Sequence, residues 1–185
     1  MNLFLEIFSV INGLVFLLLL VRQNIYCWLF GILSSLSSVW LFINLKLYSE
    51  SILYAFYIVV GIYGWVVWYK RKDGGLVQTI KAIWHIVYLG IGVAVSLLLG
   101  YFFSTQTDAE RSYADAFSTT FSFIASYLEA HKVLSTWYYW ICINGFSIWL
   151  YMDRGLQLYA ALMVLYFIMS IYGYISWKKS LNSVG

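Results

Sequence analysis

Apolar stretches long enough to cross about 30 Å of hydrocarbon recur along this chain, separated by short polar or charged breaks. Within a bilayer every backbone N–H and C=O has to be satisfied by protein, which leaves helices and closed barrels. Barrel strands alternate apolar and polar residues over about ten positions, and these runs do not alternate. The chain is therefore read as all-α and membrane-embedded. Composition agrees, since 63% of the 185 residues are hydrophobic and only 10% are charged. A water-soluble domain of this size could not clothe its surface from that supply.

The breaks place the spans at about Leu3–Val21, Ile25–Leu45, Tyr48–Trp68, Ile80–Phe103, Tyr113–Leu128, Thr136–Tyr151 and Leu156–Trp177. The first run has no basic leader and no convincing small-residue cleavage site, so it reads as a retained span rather than a signal peptide. Cys27 and Cys142 fall inside spans without metal-ligand spacing and read as packed free thiols. The chain contains no proline, so no helix kink can be assigned to one.

One phrase occurs twice. Ile62–Tyr63–Gly64–Trp65–Val66–Val67–Trp68 returns as Ile171–Tyr172–Gly173–Tyr174–Ile175–Ser176–Trp177, and Ile62 and Ile171 fix the offset at 109 residues. The same offset lays Trp28 on Trp137, Ser38 on Ser147, Trp40 on Trp149, Tyr57 on Tyr166, Ser9 on Ser118 and Glu6 on Asp115. This is the pattern of an internal duplication. Spans one to three match spans five to seven, and span four has no counterpart. A single intervening helix makes the two triplets parallel, related by a pseudo-two-fold axis along the membrane normal, as in the SWEET transporters. The expected organisation is a first three-helix repeat at 1–72, a loop and linker helix at 73–111, and a second repeat with a short tail at 112–185.

Basic residues set the expected orientation. Arg22, Lys70, Arg71, Lys72, Lys81, Lys132, Lys178 and Lys179 share the face of the C-terminus, against Lys46, Arg111 and Arg154 on the other. That places the N-terminus outside and the C-terminus in the cytoplasm of a bacterial inner membrane. Most acids lie on the outer side, while Asp73 and Glu129 fall inside. Glu50 and Asp115 each sit within the first turn of a span, where a carboxylate would draw cations toward the mouth of a bundle.

Four spans carry polar-aromatic stripes at helical spacing. Span six has Trp137, Trp140, Asn144 and Ser147, matched in span two by Trp28, Gly31, Ser35 and Ser38. Span three has Glu50, Tyr54, Tyr57 and Gly61, and span five has Asp115, Thr119, Ser122 and Ser126. Lipid rejects such faces, so they are expected to look inward at a shared substrate cavity to which Ser34 also contributes. Ordinary membrane-helix roles compete with that reading. Trp68, Tyr69 and Trp177, near helix ends, read as interfacial anchors. Gly61 and Gly64 read as close-packing positions, and serines such as Ser37 and Ser38 as packing or helix-bonding groups. His85 and His131 have no partners at ligand spacing, and no hydrolase, metalloprotease or phosphate-loop motif occurs. Aromatic walls with hydroxyl, amide and carboxylate groups suit a small, flat, polar and cationic molecule, which points to transport rather than catalysis.

Asn24–Ile25–Tyr26–Cys27–Trp28–Leu29–Phe30–Gly31, Leu47–Tyr48–Ser49–Glu50, Tyr63–Gly64–Trp65–x–x–Trp68, Asp115–Ala116–Phe117–Ser118–Thr119 and Trp137–x–x–Trp140–x–x–x–Asn144 form an ordered set. Together they resemble the Pnu family of bacterial vitamin transporters, from about residue 5 to 178. The resemblance implies a seven-helix, three-one-three fold and facilitated diffusion of an unphosphorylated vitamin, trapped inside by a cytoplasmic kinase. It also implies a homotrimer. Membrane lipid is an expected partner, and neither a cofactor nor nucleic acid is expected. The family's tryptophan pair and nearby asparagine in span six carry over to Trp137, Trp140 and Asn144. Riboside-transporting members commonly have proline at the position of Leu29 and glutamine at those of Tyr54 and Ser126. Loss of two amides beside a retained Glu50 makes thiamine the expected substrate, with nicotinamide riboside as the alternative. A membrane vitamin-binding or sensor component is the competing class.

Overall fold

The polar breaks end helices close to where the sequence places them. The computed structural model describes residues 3–44, 48–71, 76–106, 111–153, 155 and 157–183. Its elements are α1 (Leu3–Val21), α2 (Cys27–Asn44), α3 (Tyr48–Lys70), α4 (Ala82–Gln106), α5 (Ser112–Ala130), α6 (Thr136–Asp153) and α7 (Gln157–Asn182). The last helix runs past the expected end at Trp177 because Lys178–Lys179–Ser180 continue it as a polar turn. Among the described residues the sole extended pairing is an isolated bridge between Gln78 and Val133.

Two turns are built alike. Gln23 (φ 56°) and Lys132 (φ 52°) are the non-glycine residues of positive φ among those described. Each ends a helix in a Schellman arrangement, which satisfies carbonyls that the helix end would orphan. After α1, Asn24 N donates to Leu19 O and Gln23 N to Leu20 O, both at 2.9 Å. After α5, Val133 N donates to Leu128 O and Lys132 N to Glu129 O, again both at 2.9 Å. The following helix starts are matched as well, by Cys27 N to Asn24 O and Thr136 N to Val133 O, each 3.0 Å. All three pairs of bonds are related by the offset of the repeated phrase.

The chain divides into two compact units, Met1–Leu76 with Lys179–Gly185, and Val77–Lys178. In the first, α2 packs against α1 and α3. Trp28 lies over Gly64, where a side chain of any other residue would collide with the indole, and meets Trp68 edge to face at 5.5 Å and 87°. In the second, Trp137 lies over Gly173 in the same way and meets Trp177 at 5.3 Å and 87°. Glycine is required at both places by close approach of a ring rather than by backbone conformation. The linker helix α4 belongs to the second unit. Its buried face is Gly92, Ser96 and Gly100, on which Phe121 and Tyr113 of α5 rest. Leu97, Leu98, Ile86 and Tyr101 on its other faces are exposed, as a lipid-facing surface requires.

Three sequence expectations change here. Trp68 and Trp177 are buried at 2% and 0% exposure, so they pack inside their units against the Trp28 and Trp137 wedges and are not interfacial anchors. Tyr69, beside Trp68, is 76% exposed and keeps the anchor's position. Cys27 is buried, but Cys142 is exposed on α6 rather than packed. Stretches long and apolar enough to cross a membrane occur at Leu53–Lys70, Ala82–Gln106 and Ala160–Asn182, with shorter apolar runs at Ile7–Val21 and Cys27–Leu41. Helix α5 is not among these stretches: its Ser112, Thr120, Ser122, Ser126 and Glu129 are buried, while its Tyr113, Phe117 and Tyr127 are exposed.

Candidate functional site

Three residues of the α6 stripe look in two directions within the second unit. Trp137 turns toward α7 and is fully enclosed by Gly173 and Trp177. Asn144 also turns toward α7, where its Nδ2 donates to Ser170 Oγ at 3.1 Å, and Ser170 in turn donates to Tyr166 O at 2.7 Å. Trp140 turns toward α5. Its Nε1–H donates to Glu129 Oε2 at 2.8 Å, while the ring packs against the cluster of Phe121, Ala125, Leu128, Val133, Tyr139 and Ile143. Trp140 remains partly exposed, so of the two tryptophans it is the one with ring surface still open.

On α5, Ser122 is buried and its hydroxyl returns to Ser118 O at 2.8 Å. Ser126 is 4% exposed and Thr119 is half-buried. Tyr139 of α6 is tied to α4 by a 3.2 Å hydrogen bond between its hydroxyl and His85 Nδ1. In the first unit, Tyr54 and Tyr57 of α3 meet edge to face at 6.0 Å and 72°, both partly exposed. Ser34 of α2 joins α1 instead of standing open: its hydroxyl donates to Ser9 O at 2.9 Å, and Ser9 Oγ lies 2.6 Å from Ser38 Oγ. The side chain of Glu50 lies outside the described residues. Each unit thus gathers its own part of the expected set.

Sequence reasoning passed over Glu129 and Ser170, the partners of Trp140 and Asn144. In sequence Glu129 reads as an acid on the inner side, at the end of span five. The usable signal was the offset, which sets Glu129 opposite Leu20 and Ser170 opposite Gly61. A carboxyl standing where the duplicate carries a buried leucine has a task that leucine lacks.

Helices long and apolar enough to cross a membrane, at Leu53–Lys70, Ala82–Gln106 and Ala160–Asn182, define a multi-pass membrane protein. The family model described as "Nicotinamide mononucleotide transporter" matches residues 3–179, and the chain belongs to that family of transporters. Its fold is similar to that in a solved structure titled "Crystal structure of the Vitamin B3 transporter PnuC", with a TM-score of 0.79 and 21% sequence identity, covering 98% of this chain and 83% of that one. No curated protein matches.

Proposed function

We propose that the protein carries a nicotinamide-bearing vitamin B3 precursor across the bacterial cytoplasmic membrane by facilitated diffusion, with the unphosphorylated riboside as substrate. The observation that carries this reading is membership, over residues 3–179, of a family described as transporting a nicotinamide compound. The similar fold belongs to a protein titled a vitamin B3 transporter. Thiamine, expected from Glu50 and from the missing amides at Tyr54 and Ser126, finds no support in either comparison, and the riboside takes its place. A pyridinium ring stacks on an indole face with a gain of about 0.5–2 kcal/mol from the ring quadrupole. Trp140 supplies that face in the second unit, and Asn144, Thr119, Ser122 and Ser126 are polar groups of the same unit proposed to serve the carboxamide and ribose.

The reading of two parallel triplets joined by α4 goes with this proposal. It is supported by the recurrence of turn, wedge and glycine at one offset in each unit. An N-terminus outside, a homotrimer and trapping by a cytoplasmic kinase are proposed from the basic-residue distribution and the family resemblance. The test is uptake by liposomes holding the purified protein alone, without ATP, of labelled riboside, mononucleotide and thiamine. Saturable equilibration of the riboside alone is the expected result. Uptake of the mononucleotide or of thiamine in its place would reassign the substrate, and binding without uptake would favour the sensor class.

A further inference from the structure

The transport reading leaves one buried carboxyl unused. Glu129 stands in the last turn of α5 at 3% exposure. Burying a carboxyl is costly unless hydrogen bonds compensate it, and a residue needed only to close the turn would be apolar. The first unit shows that apolar solution, since Leu20 holds the matching place and is buried at 1%.

The backbone beneath Glu129 is held from two sides. The Schellman bonds close the helix end, and the segment before α4 clamps the turn. Gln78 N donates to Lys132 O at 3.0 Å, Leu134 N donates to Gln78 O at 2.9 Å, and Gln78 Nε2 donates to His131 O at 2.8 Å. The carboxyl oxygen that receives Trp140 Nε1–H therefore sits on a fixed support. The neighbouring tryptophans differ. The buried indole N–H groups of Trp28 and Trp137 have no acceptor among the described residues, so packing alone holds those rings. Trp140 has less packing around it and a hydrogen bond instead.

Room for Trp140 comes from an exchange of bulk. In the first unit Phe16 fills the space beside Gly31, lying 3.0 Å from where a side chain would begin. In the second, the small residue is Ala125 on α5 and the aromatic is Trp140 on α6. An indole turns about two side-chain torsions, and a half-packed one can take more than one setting. One hydrogen bond to a fixed oxygen selects a single setting and so presents one defined ring face.

We propose that Glu129 is a positioning residue for the substrate: through its hydrogen bond it sets the Trp140 indole as the stacking face for the flat ring of the transported molecule. This rests on the transport reading above. Glu129 acts through Trp140 and does not itself touch the substrate.

Calorimetric binding of nicotinamide riboside to the detergent-purified protein tests it, together with the ultraviolet resonance Raman band that reports indole N–H hydrogen bonding. Glu129→Leu, which installs the first unit's residue, is expected to weaken binding about tenfold, the size of one lost hydrogen bond. It should also move one indole band to its unbonded position. Glu129→Gln keeps an acceptor oxygen and is expected to stay within about twofold of wild type, with the band unmoved. Glu129→Leu added to Trp140→Phe should weaken binding no further than Trp140→Phe alone. Glu129→Met serves in the same role if the leucine variant does not fold. Wild-type affinity in Glu129→Leu, loss in Glu129→Gln equal to that in Glu129→Leu, or additive losses in the double variant would each overturn the positioning role alone. Wild-type protein silent to riboside, mononucleotide and thiamine would overturn the functional reading and this role with it.

Discussion

The two units share a frame and differ in what they hang on it. Turn, wedge and glycine recur at one offset, down to matching hydrogen bonds and ring angles. Between them the chemistry diverges. The first unit has Leu20, Gly31, Ser35 and Gly61 where the second has Glu129, Trp140, Asn144 and Ser170. In the first, hydroxyls are spent on joining α1 to α2 through Ser9, Ser34 and Ser38. In the second, carboxyl and hydroxyl groups orient the ring and the amide of α6. Frame residues answer to packing, which is the same problem twice. Residues that differ at equal places mark where one unit does something the other does not.

The strongest way to break the comparison is to remove the wedges. Trp28→Ala and Trp137→Ala each empty a site at 2% or less exposure, and each is expected to cost about 3–5 kcal/mol of stability. The two losses should be equal within about 1 kcal/mol, since ring geometry and the facing glycine are the same in both units. Denaturant unfolding in detergent measures this. A much smaller cost for Trp137→Ala, with riboside affinity lost, would mean that this ring serves the substrate directly and that the likeness of the wedges is superficial.

Much of the frame was legible in the sequence. Helix breaks at Arg22–Asn24, Lys70 and Asp153 are written as charge and polar residues, and the repeated Tyr–Gly pair gave the offset. What stayed hidden has a common cause. A tryptophan near the end of an apolar run reads the same whether it faces lipid headgroups or a glycine on the next helix, so Trp68 and Trp177 passed as anchors. A carboxyl just after such a run reads as a solvated loop charge, and only its burial at the α5–α6 turn sets Glu129 apart. The α6 stripe was correct as a periodicity. Its two directions depend on partners on α5 and α7, which periodicity does not contain.

A gentler test adds one methyl group at each wedge. A Cβ at Gly64 or Gly173 would overlap the facing indole, and that indole is closed in by a second tryptophan and cannot retreat. Alanine gains about 1 kcal/mol of helix propensity over glycine, yet overpacking a tight core costs about 1–3 kcal/mol, and more where the overlap is this deep. Gly64→Ala and Gly173→Ala are therefore expected to lower stability by about 1–2 kcal/mol each, read as equal drops in unfolding midpoint. Stabilisation by either would show that its wedge is looser than its twin and that the symmetry of the frame is incomplete.

The smallest expected effect addresses the difference rather than the likeness. Ser34 shared the sequence expectation of a substrate contact, but its hydroxyl donates to Ser9 O at 2.9 Å, and the second unit has Ile143 at the matching place. If the first unit's hydroxyls only join helices, Ser34→Ala loses one such bond and costs about 0.5–1.5 kcal/mol. Amide hydrogen exchange should then quicken in α1 and α2, leaving α5 and α6 at wild-type rates, because the lost bond lies wholly within the first unit. Riboside affinity should not move. A loss of affinity with unchanged exchange would return Ser34 to the substrate and divide the work of recognition between the units, whereas the opposite result leaves Ser34 as a joint between α1 and α2.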